Sequence, residues 1–218
     1  MQVDAAREQM VHQQVRAWDV LDPRVLEVLG TVPRERFVPP AYVGIAFADA
    51  PIPLGHGEHM LPPKVVGRIL QAVAPGRGER ALEVGTGSGY LTACLAAMCG
   101  AVRSIERQAD LAARARGNLA AAGVANVEVV EADAFADGAL GGGTYDVIIL
   151  TGSLPVDDPR FRQQLALGGR LFAIVGEPPV MDARLVTRIS ADQWSTESLF
   201  ETVVAPLYGA PRHESFTF

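Results

Sequence analysis

The sequence predicts an α/β fold with a mostly parallel, doubly wound sheet. From residue 81 onward, strand-like and helix-like runs alternate regularly, which is the pattern of a parallel sheet covered by helices. One strand-like run ends at Val84, stops on glycines and resumes as a helix near Tyr90, as in the nucleotide-binding turn of such sheets. The last two strand-like runs have no convincing helix between them, so we expect an antiparallel hairpin at one edge.

Ahead of this sheet the sequence predicts a cap of helices. Apolar residues recur at helical spacing over residues 4–18, which indicates an amphipathic helix. Asp22 and Pro23 then read as the N-cap and first residue of a second helix, which Gly30 ends. Residues 33–40 allow one further helical turn before their prolines stop it. These helices are too short to hold an independent core, so we expect them to cover the sheet.

A stretch rich in proline and glycine, residues 49–63, is expected to form an extended, rigid loop that leads into a helix over 65–73. Such a loop is well placed to act as a lid over a reacting group, and a purely structural connector is the alternative. We therefore predict a single domain, residues 1–218. Its helical cap and substrate loop cover 1–78, and its nucleotide-binding core covers 79–218.

Within the core, each element has its own signal. The near-continuous apolar run at 145–150 is typical of a central strand covered on both faces. Gly123 ends the helix that begins near residue 109. The remaining strands are expected at 81–84, 101–105, 127–130 and, after a turn, up to 176, with the hairpin strands near 185–189 and 199–204.

The spacing of the glycines after Val84 distinguishes two classes of ligand. A dinucleotide fingerprint reads G-x-G-x-x-G, whereas this loop reads G-x-G-x-G. With Glu83 two residues ahead, it resembles the first motif of the Rossmann-like methyltransferases that use S-adenosylmethionine (SAM), in which the acid lies near the methionine part of the cofactor. The cofactor-binding residues predicted here are Glu83, Gly85, Thr86, Gly87, Ser88 and Gly89. The glycine pattern alone leaves an NAD-dependent dehydrogenase open.

A second acid supports a ligand that contains a ribose. Glu106 ends the next β-rich run and follows Gly85 by 106 − 85 = 21 residues. That separation is close to the roughly 20 residues expected for a carboxylate that accepts hydrogen bonds from ribose hydroxyls. The prediction includes the adjacent Arg107. A solvated glutamate at a strand end is the alternative.

Two further strand ends are candidates for the cofactor site. Asp133 stands just past the strand at 127–130, where a carboxylate can accept a hydrogen bond from an adenine amino group, and Ala134 follows it. A turn-forming aspartate is the alternative. Thr151 is expected at the end of the central strand, on the cleft side.

Composition excludes several functions. The net charge of 19 − 25 = −6 argues against a nucleic-acid backbone or an anionic membrane as the main partner. The polar first residues and the lack of a long apolar run predict a cytoplasmic protein. Cys94 and Cys99 have no histidine nearby, so we expect buried, reduced thiols and no metal site. Oligomeric state cannot be read from the sequence.

Across nearly its whole length the chain resembles the protein-L-isoaspartate O-methyltransferases. The cap segments, among them VPRERFVP at 32–39, are the specific ones, because many methyltransferases share the SAM motifs. The other matching segments are residues 10–16, 49–55, 82–90, 104–106, 146–151, 168–171 and 204–207.

The resemblance implies methyl transfer from SAM to the free α-carboxylate of an L-isoaspartyl residue in a damaged protein or peptide. S-adenosylhomocysteine (SAH) is the second product, and the methyl ester collapses to a succinimide that partly returns to aspartate. Because the acceptor carboxylate is already ionised at neutral pH, no strong general base is needed. The protein must supply positioning and a dry site.

The chain departs from the family pattern in the substrate loop. The family reads G-x-G-Q-T-I-S-x-P, whereas residues 55–63 read GHGEHMLPP. Glu58 replaces the amide, His59 the threonine and Leu61 the serine, with Met60 between them. A lost hydrogen bond to a charged group costs on the order of 1.5 to 3 kcal/mol, and Glu58 adds a like charge. His59 is the candidate replacement donor and therefore the candidate catalytic residue; a solvated loop histidine is the alternative.

Three functions are consistent with these residues. The first is an isoaspartyl methyltransferase that uses His59 in place of the hydroxyl donors. The second is a SAM-dependent methyltransferase on the same scaffold with a different acceptor. The third is a SAM-binding interaction protein without turnover. An NAD enzyme is disfavoured by the glycine spacing and by the cap.

Overall fold

A seven-stranded sheet and a separate two-stranded hairpin make up the β structure of this computed structural model, which describes residues 3–212. The small hairpin consists of β1 (Ile52–Gly55) and β2 (Glu58–Met60). The strands of the large sheet are β3 (Arg80–Val84), β4 (Ala101–Glu106), β5 (Val127–Glu131), β6 (Tyr145–Leu154), β7 (Leu165–Glu177), β8 (Val180–Arg188) and β9 (Trp194–Thr202).

The large sheet has the strand order β5-β4-β3-β6-β7-β8-β9. Neighbouring strands from β5 to β7 are parallel, whereas β8 and β9 are antiparallel to their neighbours. The predicted fold, a mostly parallel Rossmann-like sheet with an antiparallel hairpin at the edge, is therefore confirmed. The apolar run of β6 lies inside the sheet, where Val147, Ile148 and Ile149 are fully buried because helices cover both faces.

Within residues 3–212, six α-helices accompany the strands. They are α1 (Val3–Met10), α2 (Pro23–Thr31), α3 (Pro63–Val73), α4 (Tyr90–Met98), α5 (Ala109–Ala121) and α6 (Pro159–Gln163). A π-helical turn and a 3-10 turn extend α1 to Trp18, and Asp19 ends the run in a left-handed conformation with φ 59°. The side chain of Asp22 caps α2 by accepting a hydrogen bond from the backbone N–H of Arg24 at 2.9 Å.

The cap helices pack on the sheet core. One buried cluster contains Met10 and Leu29 from the cap, Val66 from α3, Leu95 from α4 and Phe172 from β7. The helix α3 contacts β7, and α2 contacts α4. The cap and the sheet thus share apolar side chains, and this fixes the position of the loop between them.

Over residues 3–212, the structure contains no helix with both the length and the apolar character needed to cross a membrane.

The structure corrects several predicted elements. Residues 49–63 are not a simple extended loop, because β1 and β2 pair within them around a turn of Gly55, His56 and Gly57, all with positive φ. The strand β6 runs past Thr151 to Leu154, with an irregular register against β7. The final hairpin lies at 180–188 and 194–202, and α6 was not predicted. The strand propensity of the residues does not determine where a strand ends, because pairing with the neighbouring strands decides this.

Candidate functional site

A cavity of about 770 Å³ opens at the carboxyl ends of β3, β4 and β6. Its walls come from the glycine loop, the β1–β2 hairpin, the start of α3 and the segment 203–208. The volume is within the range of small-molecule sites. Of the residues predicted from the sequence, the cavity wall includes Glu58, His59, Leu61, Gly85, Gly87, Glu106, Arg107, Asp133, Ala134 and Thr151.

Gly85 and Thr151 form the floor of the glycine loop. Gly85 has φ +94°, and an added Cβ would overlap Oγ1 of Thr151. The Thr151 hydroxyl donates toward the carbonyls of Val84 and Gly85, at 3.0 and 2.8 Å. The backbone N–H of Gly85 donates to the carbonyl of Ile105 at 2.8 Å. The bend is therefore tied to both neighbouring strands, and only glycine fits there.

Glu106 is fixed by the backbone around it. Its carboxylate accepts hydrogen bonds from the N–H of Gly87 at 2.8 Å and of Gln108 at 2.9 Å. The residue is only 6% exposed and lines the cavity. A carboxylate offers about four acceptor positions, so two remain for hydroxyl groups of a ligand.

Glu83 lies behind the cavity wall. It is fully buried, and its carboxylate accepts hydrogen bonds from Thr92 Oγ1 at 2.5 Å and Ser104 Oγ at 2.6 Å. Since Ser104 donates to Glu83, the Thr86 hydroxyl donates to Ser104 at 2.6 Å. Burial raises the pKa of Glu83 to about 7. The structure thus places Glu83 and Thr86 in a buried hydrogen-bond chain beneath the loop.

Ser88 and Gly89 also face away from the cavity. The carbonyl of Ser88 accepts a hydrogen bond from Asn118 Nδ2 at 2.9 Å. A Cβ on Gly89, which has φ +84°, would lie 3.4 Å from side-chain atoms of Ala115 and Leu119 in α5. These two residues attach the loop to α5.

Asp133 and Arg107 meet at the other side of Glu106. Asp133 accepts a hydrogen bond from the N–H of Phe135 at 2.9 Å, and its second oxygen lies 3.8 Å from Nε of Arg107. The Arg107 guanidinium stacks 3.2 Å from the ring centre of Tyr208. An adenine-sized group in this corner would meet the carboxylate of Asp133 and the backbone beside Ala134.

The segment 203–208 forms a wall that residue patterns did not assign to the site. It is fastened to β6, since the N–H of Ser153 donates to Ala205 and the N–H of Leu207 donates to Ser153, both at 2.9 Å. A Cβ on Gly152 would lie 2.9 Å from Leu207. In the sequence, residues 204–207 match the family pattern, but that match does not indicate a function for the segment.

The substrate loop at residues 55–63, which we call the acceptor loop, lies partly on the cavity wall and partly in the core. His59 is exposed and lines the cavity, whereas Met60 is 5% exposed and belongs to the core cluster. This alternation is expected of a strand. Partial burial, together with the nearby charge of Glu106, raises the pKa of Glu58. Glu58 therefore ionises less readily than a free glutamate.

A buried arginine supports this loop from behind. Arg34 is fully buried, and it donates hydrogen bonds to the carbonyls of Ala46 and Leu61, each at 2.8 Å. Its guanidinium lies 4.8 Å from the ring centre of Tyr90, at the start of α4. Burial lowers the pKa of Arg34. The loop is thereby linked to the helix that follows the glycines.

Three more residues of the wall were not assigned to the site from the sequence. Trp18, Lys64 and Glu201 come from the cap, from α3 and from β9, and all three line the cavity. Nζ of Lys64 lies 4.6 Å from the centre of the Trp18 ring, and the ring of Phe200, next to Glu201, lies 5.5 Å from that ring. We call the wall formed by these residues and the acceptor loop the acceptor end of the cavity. The three residues are far apart in the chain, and no local pattern connects them.

Comparison with known proteins gives one consistent family. The family model of protein-L-isoaspartate(D-aspartate) O-methyltransferase matches residues 5–210. Protein-L-isoaspartate O-methyltransferase 1 of Rhodopseudomonas palustris is 41% identical over 207 residues, covering 94% of this chain and 84% of the relative. The protein-L-isoaspartate O-methyltransferase of Methanospirillum hungatei is 37% identical, covering 93% of each chain.

A solved structure from Plasmodium falciparum has the same fold. It is described as a protein-L-isoaspartate O-methyltransferase in complex with S-adenosyl-L-homocysteine. The TM-score is 0.78 at 20% identity, with 92% of this chain and 97% of that chain covered.

Proposed function

Because the chain belongs to the protein-L-isoaspartate O-methyltransferase family, we propose that it transfers the methyl group of SAM to the free α-carboxylate of L-isoaspartyl residues in damaged proteins. One observation carries the proposal. A single cavity joins the glycine loop and Glu106 to the acceptor loop with His59 and Leu61. A cofactor held at one end and a peptide held at the other would therefore meet inside the same enclosed space.

The residues present fit an adenosyl cofactor. Gly87 has φ +54°, and an added Cβ would lie 3.0 Å from Leu54 Cδ1. A side chain there would be strained and would crowd Leu54, so only glycine leaves the loop backbone open to a ligand. Glu106 keeps acceptor positions for ribose hydroxyls, and Asp133 offers one for an adenine amino group. We propose that Gly85, Gly87, Glu106, Arg107, Asp133, Ala134 and Thr151 contact the cofactor, and that Glu83, Thr86, Ser88 and Gly89 support the loop.

When bound, SAM supplies a methyl group on a sulfonium, which is open to in-line attack. The acceptor carboxylate is ionised at neutral pH, so the chain has no proton to remove from it. The task of the protein is to hold the carboxylate in line and to keep water out. Apolar wall residues such as Leu54, Val65 and Leu207 favour a dry site.

The acceptor is a damaged protein or peptide, as the family implies, and we propose the cytoplasm as the compartment. Both cysteines are free and buried, so the fold needs no oxidising surroundings.

A labelled-peptide assay tests the proposal. The purified protein, with SAM carrying a radiolabelled methyl group, should label a peptide with one L-isoaspartyl residue and leave the matched aspartyl peptide unlabelled. Thermal denaturation should show stabilisation by SAH and none by NAD.

Each arm has a result that contradicts it. Stabilisation by SAH without any labelled isoaspartyl peptide would reject the acceptor and favour another methyl acceptor or a binding protein. No stabilisation by SAH would reject the cofactor.

A further inference from the structure

Lys64 is the one lysine among the 19 lysine and arginine residues of this sequence. It lies in the first turn of α3 and lines the cavity at the acceptor end. Elsewhere the chain uses arginine for its positive charges. The ammonium of a lysine carries a full positive charge, as a guanidinium does, and its three donors can rotate toward separate acceptors.

Two contacts hold the Lys64 side chain at the cavity wall. Its Nζ lies 2.7 Å from Oδ2 of Asp49 and 4.6 Å from the centre of the Trp18 ring. The side chain of Lys64 is 27% exposed and that of Asp49 33%, so the pair is partly shielded from water. Asp49 occupies one of the three donors, which leaves the ammonium able to bind another anion from the cavity.

The charges around Lys64 make this capacity necessary for an anionic substrate. Glu58 on the acceptor loop and Glu201 on β9 line the same cavity and add negative charge to its wall. The other lysine or arginine on the described cavity wall is Arg107, which lies 3.8 Å from Asp133 and stacks on Tyr208. Without Lys64, a carboxylate entering near the acceptor loop would face like charges and few fixed positive ones.

We propose that Lys64 binds the free α-carboxylate of the acceptor peptide, with Asp49 and Trp18 positioning its side chain; this rests on the proposed function. One carboxylate oxygen contacts the ammonium, and the other stays free to attack the methyl group. The acceptor loop can then carry Glu58, His59 and Leu61 in place of an amide and two hydroxyl groups. Substrate recognition has moved from the loop to the first turn of α3.

Steady-state kinetics on Lys64→Gln and Lys64→Arg test this role. With saturating SAM, Lys64→Gln should raise KM for the isoaspartyl peptide at least about tenfold, while Lys64→Arg, which keeps the charge, should stay within about threefold. The affinity for SAH should remain within about twofold in both. The same isoaspartyl peptide with its α-carboxylate converted to an amide should bind the unaltered protein and Lys64→Gln equally.

Chemical modification gives a second test that needs no altered fold. Acetylation of the folded, unaltered protein modifies its single lysine and should raise KM for the peptide as Lys64→Gln does. The Lys64→Arg protein, treated identically, carries only the modification of its terminal amine and should keep its KM.

The outcomes separate this inference from the proposed function. If the unaltered protein methylates the peptide, and neither Lys64→Gln nor acetylation changes the KM, the role of Lys64 is overturned and the proposed function stands. Loss of SAH affinity together with the KM change also overturns it, because the lysine would then be structural. If the unaltered protein binds SAH and labels no isoaspartyl peptide, the proposed function falls and this inference falls with it.

Discussion

At the glycine-loop end of the cavity the wall is mainly backbone, whereas at the acceptor end it consists of side chains from four separate segments. The loop between Val84 and Tyr90 is tied by hydrogen bonds to the strands on both sides and to Glu106. The acceptor end combines Trp18, Glu58, Lys64 and Glu201, each from a different element.

This difference affects how each end tolerates substitution. A backbone cradle accepts little change, because Gly85, Gly87 and Gly89 all have positive φ and a Cβ on Gly85 would overlap Thr151. A wall of side chains can replace one donor by another from a different element, provided that charge and reach are kept. Loss of the loop hydroxyls therefore does not by itself imply loss of the substrate. Four predictions test this contrast, from the largest expected effect to the smallest.

Gly85→Ala should have the largest effect. Its Cβ would overlap Thr151 Oγ1 in a backbone conformation that disfavours side chains, so the bend must shift. We expect SAH affinity by calorimetry to fall at least about a hundredfold. Gly30→Ala is the matched control, since a Cβ there meets no atom within 4 Å and the position is helical. Equal SAH affinity in the two variants would show that the loop is less rigid than described.

Glu106→Ala should come next. It removes the proposed acceptor for ribose hydroxyls and leaves the N–H groups of Gly87 and Gln108 without their partner. Hydrogen bonds to a charged group contribute about 1.5 to 3 kcal/mol each, so SAH should bind roughly tenfold to a hundredfold more weakly. Glu131→Gln, at the exposed position paired with Glu106 on β5, should leave SAH affinity unchanged. Unaltered affinity in Glu106→Ala would refute the ribose role.

Glu83→Gln should change how stability depends on pH. The pKa of Glu83 is raised from 4.5 to about 7 by burial, so between these values the folded protein keeps a proton that the unfolded chain releases. The free energy of unfolding contributed by this carboxyl is complete below pH 4.5 and is lost as pH rises through 7. Urea denaturation should show that the variant loses about 2 to 3 kcal/mol less than the unaltered protein between pH 5 and pH 8. If the free energy of unfolding falls equally with pH in the two proteins, the raised pKa of Glu83 is contradicted.

Leu61→Ser should have the smallest effect. It restores a hydroxyl of the family loop, but Arg34 already holds the Leu61 carbonyl, and we assign the carboxylate to Lys64. We expect kcat/KM for the isoaspartyl peptide to change less than about threefold. An increase of tenfold or more in the peptide assay would show instead that the native loop is adapted to another acceptor.

The place of Gly85, Gly87 and Glu106 on the cavity wall could be predicted because their signals are local. Gly85, Gly87 and Glu106 lie at a strand end or one β-unit later, and the carboxyl ends of parallel strands meet at one edge of a sheet. By contrast, a local sequence pattern does not determine the direction in which an acidic side chain points. Glu83 faces Thr92 and Ser104, a choice made by the neighbouring strand and helix.

By itself, the sequence determined the sheet, its antiparallel edge and the glycine bend, since strand periodicity and positive φ act over a few residues. Only the tertiary structure decided which side chains share the acceptor end. Trp18, Asp49 and Lys64 converge because the cap packs on the sheet through an apolar core, against which Trp18 itself packs. Packing between segments far apart in the chain thus brought Lys64 next to Asp49 and Trp18, and no sequence pattern connects these residues.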